Sequence, residues 1–156
     1  MKAFIATAAL GAALIVGSTV TVGAQGTGGS PGKMGHMGGP MMIRCAGGWV
    51  LNPIGASHEG GCATPRGGNG VIFLGIKVMG EPAGAKQPSH IHRGKCGSNG
   101  RVVIPLKDVV GGTSVTSIPM AKWKTVNHGG YYINIHESAD NIPHVVSCAN
   151  ITAMAM

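Results

Sequence analysis

From Trp49 onward, apolar residues recur in short runs, each bounded by turn residues. Trp49 to Ile54 is the first run, and a loop carrying Gly60-Gly61 and Gly67-Gly68-Asn69-Gly70 follows it. Val71 to Met79 has strong β character, and Glu81-Pro82-Ala83-Gly84 then turns the chain. Ser89 to Arg93, Arg101 to Leu106, Ser114 to Ile118, Tyr131 to Glu137 and His144 to Cys148 complete the series. Outside the N-terminal apolar stretch no window carries a 3.6-residue period. About seven short strands with frequent turns predict an all-β fold, a sandwich or a barrel.

The first residues follow another pattern. Lys2 precedes an uncharged apolar run, Ala3 to Val16, and Val22-Gly23-Ala24 offers small residues for cleavage. Residues 1–24 therefore read as a signal peptide, with Gln25 as the mature start. The run is too short, and too soon followed by Gly and Ser, to give a stable membrane span. Residues 25–43 read as a disordered Gly/Met/His-rich arm, because there is little in them to bury. The arm holds Met34, His36, Met37, Met41 and Met42, thioethers and an imidazole of the kind that select Cu(I). Residues 44–156 are then the folded domain, long enough for a core of its own.

Composition fits a small exported β protein. There are 28 glycines and 9 prolines, and charged residues make up only 11% of the chain. Such a chain is rich in turns and poor in the Glu- and Lys-rich stretches that build surface helices. The net charge is +7, but the basic residues are scattered and aromatics reach only 4%. Nucleic-acid binders combine a basic stripe with stacking aromatics or a known motif, so no nucleic-acid partner is expected. A positive field can instead steer a small anion.

Four cysteines, Cys45, Cys62, Cys96 and Cys148, suit an oxidising compartment, so the protein is expected to be secreted or periplasmic. Spacing alone leaves three pairings open. The arrangement favoured here joins Cys45 to Cys62 as a local staple and Cys96 to Cys148 over the longer range. Closing the longer loop is worth about 4 kcal/mol in the chain-entropy account. No Cys-x-x-Cys is present, which argues against a zinc ribbon or a thioredoxin-type motif.

Candidate chemistry lies in the histidines. Side chains alternate across a strand, so His90 and His92 share one face while Ile91 points the other way. In Tyr131-Tyr132-Ile133-Asn134-Ile135-His136, the isoleucines fall on one face and Tyr132, Asn134 and His136 on the other. With isoleucines inward, all three histidines lie on the outer face, where neighbouring strands would make a site for copper or zinc. His128 reads as a turn residue, His144 as a strand-surface residue and His58 as part of a glycine-rich loop. Glu137 points away from His136.

Ser89-His90-Ile91-His92, a cysteine soon after, Ile135-His136-Glu137-Ser138-Ala139-Asp140 and Val146-Ser147-Cys148-Ala149-Asn150-Ile151 together resemble the Cu/Zn superoxide dismutases. That resemblance implies a Greek-key β-sandwich, copper held by His90, His92 and His136, superoxide as a possible partner, and a disulfide between Cys96 and Cys148. The stretch from Gly97 to Lys107 has no histidine, so the zinc subsite of that family is missing. Val145 stands where the family places an arginine, so any dismutation is expected to be weak. A copper-handling protein is the other form of this reading. A second resemblance is to the chordin-type extracellular domain, through His90-Ile91-His92-Arg93-Gly94 and Asn134-Ile135-His136. It implies a non-enzymatic binding or structural module without metal.

Overall fold

The computed structural model describes residues 43–155. The stretch read as a signal peptide, residues 1–24, and most of the stretch read as a Gly/Met/His-rich arm, residues 25–43, lie outside the described residues. The elements are β1 (Trp49–Pro53), β2 (Gly60–Gly68), β3 (Val71–Met79), β4 (Lys86–Gln87) and β5 (Ser89–Arg93). They continue with β6 (Val102–Pro105), β7 (Val109–Val110), β8 (Thr113–Pro119), helix α1 (Met120–Val126), β9 (Tyr131–His136) and β10 (Val145–Ile151). No helix among the described residues is long and apolar enough to cross a membrane.

All strand pairs are antiparallel, and the strands form one sheet in the order β4-β7-β8-β3-β2-β1-β10-β9-β5-β6. The sheet curls on itself. Val109 of β7 and Ile104 of β6, from opposite ends of this order, belong to the same buried cluster as Leu51, Leu74 and Ile133. The described residues are mostly β with one short helix, consistent with the all-β fold that the patterning predicts.

Residue alternation explains how each strand contributes. Ile72, Leu74, Ile76 and Val78 of β3 are buried, while Phe73 and Met79 remain exposed. Period two on a pleated strand gives that result when one face meets the core and the other meets water. In β9 the pattern differs: Tyr132 through His136 are all buried. Ile133 and Ile135 enter the core, and the opposite face is covered by loops. Each fully buried isoleucine contributes roughly 2 to 3 kcal/mol relative to an exposed one.

Besides the two-residue strands β4 and β7, two longer elements depart from the sequence reading. The glycine-rich stretch read as a loop is β2, paired with β3 along its whole length. Glycine is needed there: a Cβ on Gly61 would lie 1.8 Å from the carbonyl oxygen of Lys77. Pro65 is tolerated because β1 pairs only with Gly61 to Ala63, leaving that edge of β2 free beyond them. The other departure is α1, whose Trp123 and Val126 are buried at helical spacing. At seven residues it is too short to show a period. Trp123 packs against Trp49 with ring centroids 5.8 Å apart, and the Trp49 indole N–H donates to the Thr152 carbonyl at 3.2 Å.

Both disulfides form as favoured from the sequence: Cys45–Cys62 and Cys96–Cys148. Their presence fits an exported protein.

Candidate functional site

The site is built on the paired strands β5 and β9. After β4 at one end of the sheet order, the chain crosses at Pro88, whose carbonyl accepts from the His136 N–H at 2.9 Å, and enters β5. His90 lies opposite Asn134, and His92 opposite Tyr132. With Ile91, Ile133 and Ile135 in the core, His90, His92, Tyr132, Asn134 and His136 occupy the other face.

His90, His92 and His136 converge there. Their ring centroids are 5.7 Å (His90–His92), 5.1 Å (His90–His136) and 5.9 Å (His92–His136) apart. One ring nitrogen from each lies within 4.8 Å of the others. Three nitrogens around one ion at the usual bond length sit ~3.5 Å apart, so small side-chain rotations would close the triad.

These rings are not ordinary surface histidines. His92 is 8% exposed and His136 only 4%, because two loops fold over the outer face. The first, between β5 and β6, is tied down by Cys96–Cys148 and by the Cys96 N–H donating to Asn150 Oδ1 at 2.8 Å. Its Gly100 carbonyl accepts from His92 Nδ1–H at 2.8 Å. The Tyr132 hydroxyl donates to the Ser98 carbonyl and accepts from the Gly100 N–H at 3.1 Å, and its ring stacks on His92. The second loop, between β9 and β10, presents the Ile142 carbonyl to His136 Nδ1–H at 2.5 Å.

A carbonyl can only accept, so each of these bonds fixes the proton on Nδ1 and leaves the Nε2 lone pair free. Nε2 of His92, Nε2 of His136 and Nδ1 of His90 are all buried without a hydrogen-bond partner. Burial lowers the pKa of His90, with the nearby His92 adding to the effect and Asp108 opposing it. Burial also lowers that of His136, against the raising effect of the Ile142 carbonyl. The lowered values of His90 and His136 favour the neutral ring, the form in which imidazole binds a metal. Carbonyl acceptors on the far nitrogen are the arrangement metal-binding histidines use to fix tautomer and orientation.

Among the described residues, the other histidines are not part of this cluster. His128 packs edge-on against Tyr131 at 5.8 Å. His144 is exposed and pairs through Nδ1 with Glu137 Oε2 at 3.3 Å. Glu137 also accepts from Asn141 Nδ2 at 2.6 Å, so it braces the second loop instead of facing the triad. A cleft of about 200 Å³ opens beside the site, lined in part by His92, Asn134, His136, Pro143 and Val145. The phase of the histidines was readable along the strands. The loop carbonyls of Gly100 and Ile142 were not, since any residue supplies one, and Asn134 was visible only as a face-sharing neighbour of His136.

Comparison with known proteins corrects one expectation. The family model described as CHRD domain matches residues 58–141. That stretch runs from just before β2 to just past β9, and it contains all three converging histidines and Asn134. No curated protein and no solved structure matches the chain. The resemblance to the Cu/Zn superoxide dismutases is thereby overturned: CHRD is a distinct all-β family. The motifs that suggested it are short, and its other landmarks, the zinc-ligand histidines and the arginine, are lacking here. A sandwich of the superoxide dismutase type rests on that resemblance alone. The second resemblance, carried by His90-Ile91-His92-Arg93-Gly94 and Asn134-Ile135-His136, is the one the match supports, and the chain belongs to the CHRD domain family.

Proposed function

We propose that this is an exported, chordin-type domain that binds copper through His90, His92 and His136. One observation carries the reading: three imidazoles, two buried and one half-buried, converge with a buried, unpartnered ring nitrogen apiece. Buried polar atoms are seldom left unpaired, because each costs about 1 to 3 kcal/mol. One ring nitrogen from each of the three histidines lies within 4.8 Å of the others, so a single cation would account for the orphaned atoms together. Among divalent first-row ions, copper gains most from imidazole donors. Bound copper would supply a redox-active Lewis acid; the chain's own part is to bring the three rings together and to orient His92 and His136 through the Gly100 and Ile142 carbonyls. Superoxide dismutation forms no part of this proposal.

CHRD domains are typically extracellular, and the two disulfides agree with export. We place the protein in the periplasm or outside the cell, with residues 1–24 as its signal peptide, 25–43 as an arm and 44–156 as the folded domain. A purely structural or adhesive module is the competing reading, and it leaves the three orphaned nitrogens without a cause. Metal analysis of the purified chain after copper loading and desalting tests the difference. One tightly held copper per chain is expected, with strong loss of affinity in His90→Ala, His92→Ala and His136→Ala, and little further loss in the doubles. If one histidine can go with stoichiometry and affinity unchanged, the site as drawn is wrong.

A further inference from the structure

Among the described residues seven buried side-chain nitrogen or oxygen atoms lack a hydrogen-bond partner, and four of them fall on one small patch: His90 Nδ1, His92 Nε2, His136 Nε2 and Asn134 Oδ1. The register explains why they gather. Asn134 faces His90 directly across the β5–β9 ladder, and His92 is the diagonal neighbour. His136 follows two residues later on the same strand and the same face. Directly opposed side chains begin roughly 4.5 to 5.5 Å apart, and diagonal or i+2 neighbours roughly 7 Å apart. Asn134 is thus the one position with all three imidazoles as its same-face neighbours. It is 6% exposed, so its amide oxygen cannot turn to bulk water.

The other groups on this face are committed. The Tyr132 hydroxyl is engaged by Ser98 and Gly100. Cys148, on the far side of Asn134 in β10, is in a disulfide. The Ser98 hydroxyl donates to the Lys95 carbonyl at 2.6 Å. Val145, which lines the same cleft, has no donor atom to offer.

We infer that Asn134 Oδ1 is a fourth donor to the ion, making the centre three imidazoles and one amide oxygen, and that this oxygen biases the centre toward Cu(II) over Cu(I). The inference rests on the three-histidine reading above and adds a residue and a selectivity to it. Amide oxygen is a hard donor: it suits a divalent cation and gives a soft monovalent one little. An uncharged oxygen also satisfies the ion without adding a carboxylate that would need its own desolvation.

The test uses the full chain and two substitutions. Asn134→Leu keeps the approximate size and removes the donor; Asn134→Asp keeps an oxygen in place. Cu(II) and Cu(I) affinities are measured separately against competing chelators, and the Cu(II) form is examined by electron paramagnetic resonance. Asn134→Leu is expected to weaken Cu(II) about tenfold or more while leaving Cu(I) within about twofold, and to alter the Cu(II) spectrum. Asn134→Asp is expected to bind Cu(II) at least as tightly as the parent chain, which decides the matter even if the leucine variant fails to fold. Equal loss of both ions in Asn134→Leu, no loss of either, or weaker Cu(II) binding in Asn134→Asp overturns the inference while the three-histidine site stands. A parent chain that takes up neither ion removes both.

Discussion

His92 donates from Nδ1 to the carbonyl of Gly100 at 2.8 Å, across a loop of eight residues. That loop also contains Cys96, so the disulfide to Cys148 and the orientation of a candidate ligand are one mechanical unit. The covalent tie holds the loop over the outer face of β5 and β9, and the loop carbonyl holds the ring.

Removing the tie should therefore cost both stability and affinity. The double variant Cys96→Ser/Cys148→Ser opens a loop spanning 52 residues. The chain-entropy account puts the loss near about 4 kcal/mol, an upper value for a real variant. Urea unfolding should show a drop of that order, and copper titration a weaker site. The companion variant Cys45→Ser/Cys62→Ser, closing 17 residues, should lose about 3 kcal/mol with copper affinity nearly unchanged. Equal effects on copper from the two variants would detach the loop from the site.

Two glycines of β2 give a sharper test of the fold. A Cβ on Gly61 would meet the Lys77 carbonyl oxygen at 1.8 Å, whereas one on Gly67 would meet nothing within 4 Å. Gly61→Ala must push two paired strands apart and should destabilise by about 1 to 3 kcal/mol. Gly67→Ala, on the same strand, should leave the melting temperature nearly unchanged. If the two variants melt alike, β2 does not sit against β3 as described.

These glycines also mark where the sequence stops being readable. Val71 to Met79 is legible to the residue, because β-branched and apolar side chains alternate between core and solvent, and Ser89 to Arg93 through Ile91 set between two histidines. The same alternation puts His90, His92 and His136 in phase before any coordinates are known. Gly60–Gly68 carries no such signal; its pairing follows from close backbone approach, a property of the neighbours in β3 and not of its own side chains. The depth of the site is hidden for a related reason. His136 reads as an outer-face residue and is one relative to the sheet, but the loops that bury it are held by backbone carbonyls and a disulfide. Short motifs around the histidines resembled one family, while the pattern over residues 58–141 belongs to another.

Glu137 offers a way to loosen the second loop without touching a ring. Its carboxylate accepts from Asn141 at 2.6 Å and pairs with His144 at 3.3 Å, and these two bonds hold its acid strength above that of a free carboxylate. The brace shapes the turn that presents the Ile142 carbonyl to His136. Glu137→Ala removes a solvent-exposed pair, so the melting temperature should barely change. Copper affinity should nevertheless fall by about threefold to tenfold, since outer partners of a metal-bound imidazole matter more than their own stability effect suggests. Glu137→Gln, which can still accept from Asn141, should recover part of the loss.

The neutral state of the histidines predicts how the protein responds to acid. His90 and His136 have pKa values lowered in the folded chain, chiefly by burial. In the unfolded chain both titrate near the ordinary imidazole value of about 6.5. Below that value the unfolded state binds protons that the folded state refuses, so stability must fall as pH drops from about 6.5 toward the folded pKa values. Above it, these two groups contribute no slope. Metal-free protein should melt at nearly constant temperature between pH 7 and pH 8 and at a clearly lower one at pH 5. The double variant His90→Asn/His136→Asn should flatten that decline. Copper adds a second dependence with the same sign, because protons compete for the ligand nitrogens. The melting temperature gained on adding copper should thus be larger at pH 7 than at pH 5, and the gain should vanish in the variant at both. A metal-free protein that grows more stable between pH 7 and pH 5 would mean that these imidazoles are charged in the folded state, and a cation could not then occupy the centre they form.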